Sequence, residues 1–366
     1  ADLVSMARPF LADPEVVEKA EQDRADEINT CIGCNQACLD HVFANKLTSC
    51  LVNPRACHET ELLITPAEVR KHIAVVGAGP AGLAFATTAA KRGHKVTLFD
   101  EANEIGGQFN IAKRIPGKGE FYETLRYYQR QLELTGVDVH LNTRVDRSVL
   151  SRYEFDEVVL ATGILPRDLE IDGIDHPKVL SYLDVMKGHS VGKRVAVIGA
   201  GGIGFDISEY LIHEEAKPQL TIPAFMKQWG VDMTFSSRGG VEGIKPYFSP
   251  AAREVFLLQR KKSKVGAKLG KTTGWIHRAE LLKKGVTMIP SCEYQKIDDQ
   301  GLHLLVAGEP QCLAVDNVII CAGQLPNQTL GNALDRPVHL VGGADVASEL
   351  DAKRAIKQGT LLACSL

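Results

Sequence analysis

The 366 residues contain little that a membrane or an export pathway could use. The apolar run IAVVGAGPAGLAFATTAA, residues 73–90, is rich in Gly and Ala and carries a strand, turn and helix pattern unlike a membrane span. No transmembrane helix is expected. The first residues, ADLVSMARPF, lack the basic segment, long apolar core and small-residue cleavage site of a secretory signal. A cytoplasmic protein is therefore expected.

Excess charge is also missing: 42 Lys and Arg stand against 45 Asp and Glu, interspersed along most of the chain, which gives no general reason to expect nucleic acid or a membrane as partner. The exception is QRKKSK at 259–264. Nothing points to disorder, and 45% hydrophobic residues over this length suffice for two or three domains with their own cores. An even, regular set of cysteines is absent as well. The nine present (31, 34, 38, 50, 57, 292, 312, 321, 364) are odd in number and crowd towards one end, which argues against a disulfide framework and for metal binding.

Cys31, Cys34 and Cys38 form C-x2-C-x3-C, and Cys50 follows after eleven intervening residues. Structural zinc usually takes two separated C-x2-C knuckles, each presenting two thiolates to one tetrahedron. Three thiolates from one loop and one from a distant segment is a grouping common for cubane iron-sulfur clusters, where each cysteine caps its own iron. Gly33 suits a tight loop that offers N–H groups to sulfur. Zinc on the same four thiolates is the alternative. Cys57 and His58 lie nearby as spare donors and read as loop residues with no metal role, since four ligands are already present.

KHIAVVGAGPAGLAFATTAAKRGHKVTLFDE, residues 71–101, reads as strand, glycine turn, helix, strand. Gly77 permits the turn, Gly79 lets backbone approach a pyrophosphate, and Gly82 allows the helix to pack closely on its strand. Asp100 ends the next strand, where a carboxylate binds a ribose hydroxyl. The plain alternative is a glycine-rich structural turn.

A second copy, with Gly199, Gly201 and Gly204, lies in KRVAVIGAGGIGFDISEYL at 193–211, so two nucleotides are expected. The segment after its helix, running to about residue 250, reads as an irregular insertion of unassigned role. The next strand, EVFLLQ at 254–259, ends in Arg260, Lys261, Lys262 and Lys264 in place of an acid. Positive side chains there suit the 2′-phosphate of NADP, so NADPH is favoured. Taken alone, that charge run reads equally as a solvated loop.

EVVLATG (157–163), NVIICAG (317–323) and VHLVGGADVASELDAKRAIKQG (338–359) complete the pattern. In this order the segments resemble the two-dinucleotide-domain flavoprotein disulfide reductase fold, an α/β class with two Rossmann-like domains. The resemblance implies that the first fingerprint, Gly106, Gly107, Gln108 and Asp345 bind FAD, and the second binds NADPH. The active C-x4-C or C-x2-C of the redox-disulfide reductases is missing, because no two of Cys292, Cys312, Cys321 and Cys364 have that spacing.

ADLVSMARP reads as a buried strand and turn, and DPEVVEKAEQ as a helix with Pro14 at its first position. This start resembles the last βα unit of the old yellow enzyme family, an FMN-binding TIM barrel. That resemblance implies that Arg8 binds the FMN phosphate and that a barrel belongs to the intact polypeptide. A lone βα unit cannot bury both its faces, so residues 1–22 are expected to be loose or docked on the other domains. With CLVNPRACHE, IGGQFNIAKRIPGK and KTTGWIHR in sequence, the whole chain resembles the C-terminal half of bacterial NADPH-dependent 2,4-dienoyl-CoA reductases. Trimethylamine dehydrogenase shares the layout without using a nicotinamide, which the second fingerprint and its basic strand tip oppose.

The resemblance implies boundaries of 1–25 for the barrel remnant, 26–66 for a 4Fe-4S module, 67–190 with 311–366 for the FAD domain, and 191–310 for the NADPH domain. It also implies a route from NADPH through FAD and the cluster to FMN, ending in reduction of a dienoyl-CoA in fatty-acid β-oxidation. No catalytic residue is assigned in this chain, because the family's acid-base groups lie in the barrel; Tyr182 and His277 read as structural. Two other classes remain open: a stand-alone electron-input subunit like the small subunit of glutamate synthase, and a non-catalytic zinc and NADP(H)-binding module.

Overall fold

A computed structural model describes residues 2–167, 169–213, 221–330, 335–348 and 351–366. The chain forms two compact units. The first comprises Ala1–Lys113, Glu120–Arg167 and Gln324–Leu366; the second comprises Arg114–Gly119 and Asp168–Gly323.

The first unit is built on a parallel sheet of five strands in the order Val338–Leu340, Glu157–Leu160, His72–Val76, Lys95–Phe99, Asp138–His140. Its central strands are apolar without alternation because both faces are covered: Ile73, Val75, Leu98 and Val159 have no exposure. The helix Pro80–Lys91 follows the first strand, started by Pro80 at its first position and closed before Gly93. Small side chains let it pack tightly on the C-terminal helix Ala352–Ser365, where a Cβ on Gly359 would lie 2.3 Å from the Ala81 carbonyl oxygen. A short antiparallel pair, Ile164–Pro166 with Gln324–Pro326, completes this unit's strands.

The second unit repeats the arrangement: Val179–Ser181, Asn317–Ile320, Arg194–Ile198, Glu254–Leu258, Thr287–Ile289, again all parallel. An antiparallel meander, Cys292–Asp298, Gly301–Val306 and Glu309–Leu313, is appended to it.

Three sequence expectations differ from this structure. Residues 168–190 and 311–323, placed by sequence with the first dinucleotide domain, fall in the second unit, because Asn317–Ile320 inserts between Val179–Ser181 and Arg194–Ile198. The strand expected at the start is not one: residues 2–6 are irregular and exposed, having no neighbouring strand to bond. They lead into two short helices, Arg8–Ala12 and Val16–Glu21. The insertion is not wholly irregular, since Ile222–Trp229 is a helix capped by the Thr221 hydroxyl on Ala224 N–H and closed by Gly230 at φ +69°. Among the described residues, no helix is long and apolar enough to cross a membrane.

Candidate functional site

Cys31, Cys34, Cys38 and Cys50 line one pocket with Leu11, Ile32, Leu51 and Val52; its empty volume, open solvent included, is about 310 Å³. Gly33 at φ +66° and Asn35 at φ +59° wind the loop that brings the first three together. Burial, reinforced by the neighbouring Cys50, Cys38 and Cys31 sulfurs, pushes the Cys34 thiol up to about 11, against a hydrogen bond from the Gln36 backbone. Cys50 is raised for the same first cause, although the Val52 and Asn53 N–H groups donate to it. Burial thus disfavours free thiolates at Cys34 and Cys50, whose charge a bound metal would neutralise.

Among the described residues, no three His, Cys, Asp or Glu side chains converge as ligands of a single ion. Four thiols spread around one largely apolar pocket do fit a cubane, whose cysteines approach from different corners. Cys57 and His58 do not line it; the Cys57 N–H bonds the Glu59 carboxylate at 3.0 Å and His58 faces Glu61 at 3.1 Å. Arg8, expected at an FMN phosphate, lines this pocket and donates to Asn35 Oδ1 at 3.0 Å.

In the same unit, Gly77 turns at φ +108° against the Ala161 carbonyl, and a Cβ on Gly82 would sit 1.9 Å from the Gly77 oxygen. Gly79 caps the helix Pro80–Lys91, leaving its first N–H groups directed at the turn. Gly106 N–H donates to Ala78 O at 2.8 Å, and a Cβ on Gly107 would come within 3.0 Å of Gly79 Cα, so two glycine loops form one cradle. Asp100 joins this cradle by accepting from Ala78 N–H at 2.6 Å and Ala102 N–H at 2.8 Å. Gln108 is exposed at the start of the helix Phe109–Ala112. Asp345 follows the turn Gly342–Ala344 and accepts from Gln358 Nε2 at 2.7 Å.

The second unit carries the corresponding turn. A Cβ on Gly204 would lie 1.7 Å from the Gly199 oxygen, and Gly199, at φ +109°, abuts the Cys321 carbonyl. Gly201 has nothing within 4 Å of its Cβ position and caps the helix Gly202–Ile212. That open backbone is where a pyrophosphate can approach. Arg260, Lys261 and Lys262 are exposed just beyond the strand Glu254–Leu258.

The signature of the pyridine nucleotide-disulphide oxidoreductase family matches residues 71–351, spanning both glycine turns. The chain belongs to that family. Membership makes it an α/β oxidoreductase of the flavin- and NAD(P)H-dependent kind. This oxidoreductase is 33% identical to a metal reductase from Desulforamulus reducens over 92% of its own length and 50% of that protein's. It is 31% identical to an NADH oxidase from Thermoanaerobacter brockii, over 92% of itself and 46% of the relative. Among solved structures, a 2-naphthoyl-CoA reductase in complex with 2-naphthoyl-CoA superposes with a TM-score of 0.84 at 28% identity, over 100% of this chain and 50% of that one. The chain thus spans about half the length of the relatives it matches.

Several side chains of the oxidoreductase's site carry no motif. Gln358 accepts from Gly342 N–H at 2.8 Å while donating to Asp345, which fixes the carboxylate over its turn. Asn110 braces the Gly106 loop by donating to Ile105 O at 3.0 Å. Periodicity places both on helices but cannot show that a side-chain amide faces a loop. His277 Nδ1 meets the buried Glu209 at 2.7 Å, and that hydrogen bond raises the imidazole above its ordinary value. Tyr182 is buried.

Proposed function

We propose that this chain is the electron-input half of an NADPH-dependent 2,4-dienoyl-CoA reductase. The observation that carries the reading is the four-cysteine pocket in the same compact unit as the first glycine cradle. Its support also includes the layout shared with the 2-naphthoyl-CoA reductase structure, and the lack of a redox-dithiol spacing in the nucleotide-binding units.

The chain's own residues bind and orient. Gly77, Gly79 and Gly82 bring backbone N–H groups and a helix N-terminus to the FAD pyrophosphate, where Gly106, Gly107 and Gln108 close the other side. Asp100 holds the ribose, and Asp345 the ribityl end. Gly199, Gly201 and Gly204 do the same for NADPH, with Arg260, Lys261 and Lys262 at its 2′-phosphate. Cys31, Cys34, Cys38 and Cys50 ligate a 4Fe-4S cluster. When bound, FAD would supply hydride-accepting chemistry and the cluster one-electron transfer, and FMN with the acid-base groups for the thioester would belong to a barrel domain.

Anaerobically purified protein tests this by absorbance with iron and sulfide analysis, beside NADPH-ferricyanide and dienoyl-CoA assays. Flavin bands over a broad brown shoulder, with about four irons per chain, are expected together with ferricyanide reduction and no thioester turnover. Flavin without iron would remove the cluster; a colourless protein would remove the electron-transfer reading; thioester turnover by this chain would show the active site misplaced.

A further inference from the structure

The two units build the same nucleotide turn and differ in the residue that follows the second strand. In the first, Gly77 N–H donates to Phe99 O at 2.8 Å, which sets Asp100 beside the first glycine. In the second, Gly199 N–H donates to Leu258 O at 3.1 Å, which sets Gln259 in the same place. Asp100 accepts from Ala78 and Ala102 N–H in its own turn. Gln259 has an amide there, whose Nε2 donates to Lys261 O at 3.0 Å and Ser263 O at 2.8 Å.

The backbone of this loop is pinned from its other side by Ser291 N–H on Lys261 O at 3.1 Å and Cys292 N–H on Gln259 O at 3.0 Å. Residues 260–263 are thereby closed into a fixed turn whose basic side chains are exposed. We infer that Gln259 is the positioning residue that sets this site's preference for a nicotinamide dinucleotide bearing a 2′-phosphate. The amide does so in two ways. It donates to both carbonyls, which fixes where Lys261 and Lys262 are presented. It is also uncharged, so no carboxylate stands where it would repel the phosphate and hydrogen-bond a bare ribose instead. A carboxylate in its place would face two carbonyl oxygens with nothing to donate, opening the loop as it turned to the ribose.

This inference rests on the NADPH reading above, and the test separates the two. The flavin-loaded full chain is assayed with NADPH and with NADH against ferricyanide, for the parent protein, Gln259→Met, Gln259→Glu and the pair Lys261→Glu with Lys262→Glu. Gln259→Met keeps the length without the donor. It is expected to raise the KM for NADPH about tenfold, as two lost hydrogen bonds would, to move that for NADH less than about twofold, and to leave kcat alone. Gln259→Glu should lose as much with NADPH and lower the KM for NADH, inverting the preference. Flavin content and thermal transition are read on each variant; if Gln259→Met does not fold, the isosteric Gln259→Glu decides. Equal losses with both cofactors, or an unchanged ratio while the lysine pair shifts it, overturn the role of Gln259. An unchanged ratio in the lysine pair as well overturns the NADPH reading itself.

Discussion

Asn53 donates from its side-chain amide to the main-chain carbonyl of Leu11 at 2.9 Å, joining the start of the chain to the segment just after Cys50. Asp13, 3% exposed, completes the joint by accepting from Lys19 Nζ at 2.8 Å, Asn29 N–H at 2.9 Å and Glu15 N–H at 3.0 Å. Asn29 in turn donates to Val52 O at 2.9 Å, and Ala12 packs in one core with Leu51 and Val52. The opening helices are therefore docked on the cysteine module. Asp13→Ala leaves the Lys19 ammonium buried without its main partner, and should cost about 3 kcal/mol. Glu15→Ala, which removes the exposed partner 3.4 Å from the same ammonium, should cost less than about 1 kcal/mol. Chemical denaturation of the two variants checks this; equal losses would place the stabilisation elsewhere.

The matching glycines of the two turns predict separable losses. A Cβ on Gly82 or on Gly204 meets a backbone oxygen, which cannot swing away, so the helix must shift at a cost of about 1–3 kcal/mol. At 1.4 kcal/mol per decade, a cost of that size borne by the bound state weakens binding by about five- to 150-fold. Gly82→Ala is expected to lower flavin occupancy, and Gly204→Ala to raise the KM for NADPH with flavin retained. Flavin absorbance and ferricyanide kinetics on both variants check it; loss of flavin in both would mean that the two turns do not serve separate nucleotides.

Both glycine turns were legible because their signal is local: an apolar strand, glycines at fixed offsets, then a helix. What was not legible depends on distant partners. Asn317–Ile320 reads as a strand wherever it is placed, and only pairing with Arg194–Ile198 assigns it to the second unit. The opening LVSM has strand-like side chains, yet without a neighbouring strand it stays irregular and exposed. Arg8 and Asn35 meet across 27 residues with no motif that pairs them. The helix Ile222–Trp229 did carry local signals, a threonine cap, Pro223 in the first turn and Gly230 after the last, but they lie inside a segment whose composition otherwise reads as loop.

Cysteine replacements discriminate ligands from bystanders. Cys34 lies in the pocket among three other sulfurs, whereas Cys57 is exposed, at φ +61°, and outside the pocket lining. If these cysteines hold the proposed cluster, Cys34→Ser should retain well under half of the iron and acid-labile sulfide, and Cys57→Ser should leave both unchanged. Iron, sulfide and the brown absorbance shoulder are the readouts. A loss of iron in Cys57→Ser comparable to that in Cys34→Ser would mean that the cluster takes its fourth ligand from outside the pocket.

Glu157 gives the first unit a dependence on acid. Its carboxylate, 8% exposed, accepts from Lys71 Nζ through Oε1 and from His339 Nε2 at 2.7 Å through Oε2. Burial pushes the carboxyl up, but these two hydrogen bonds and the charges behind them outweigh it and hold Glu157 below its ordinary value. A depressed carboxylate favours the folded state at pH values above the unfolded-state value of about 4.3, and that contribution is lost as pH falls through the lower folded value. Stability should therefore decline below about pH 5. Glu157→Gln removes this part of the slope and, by leaving Lys71 without its counter-charge, should also cost about 2–3 kcal/mol near neutrality. The unfolding midpoint in denaturant, followed from neutral to acid pH in both proteins, decides the matter: curves that converge as pH falls support the network, and parallel curves would show that Glu157 does not carry the acid sensitivity.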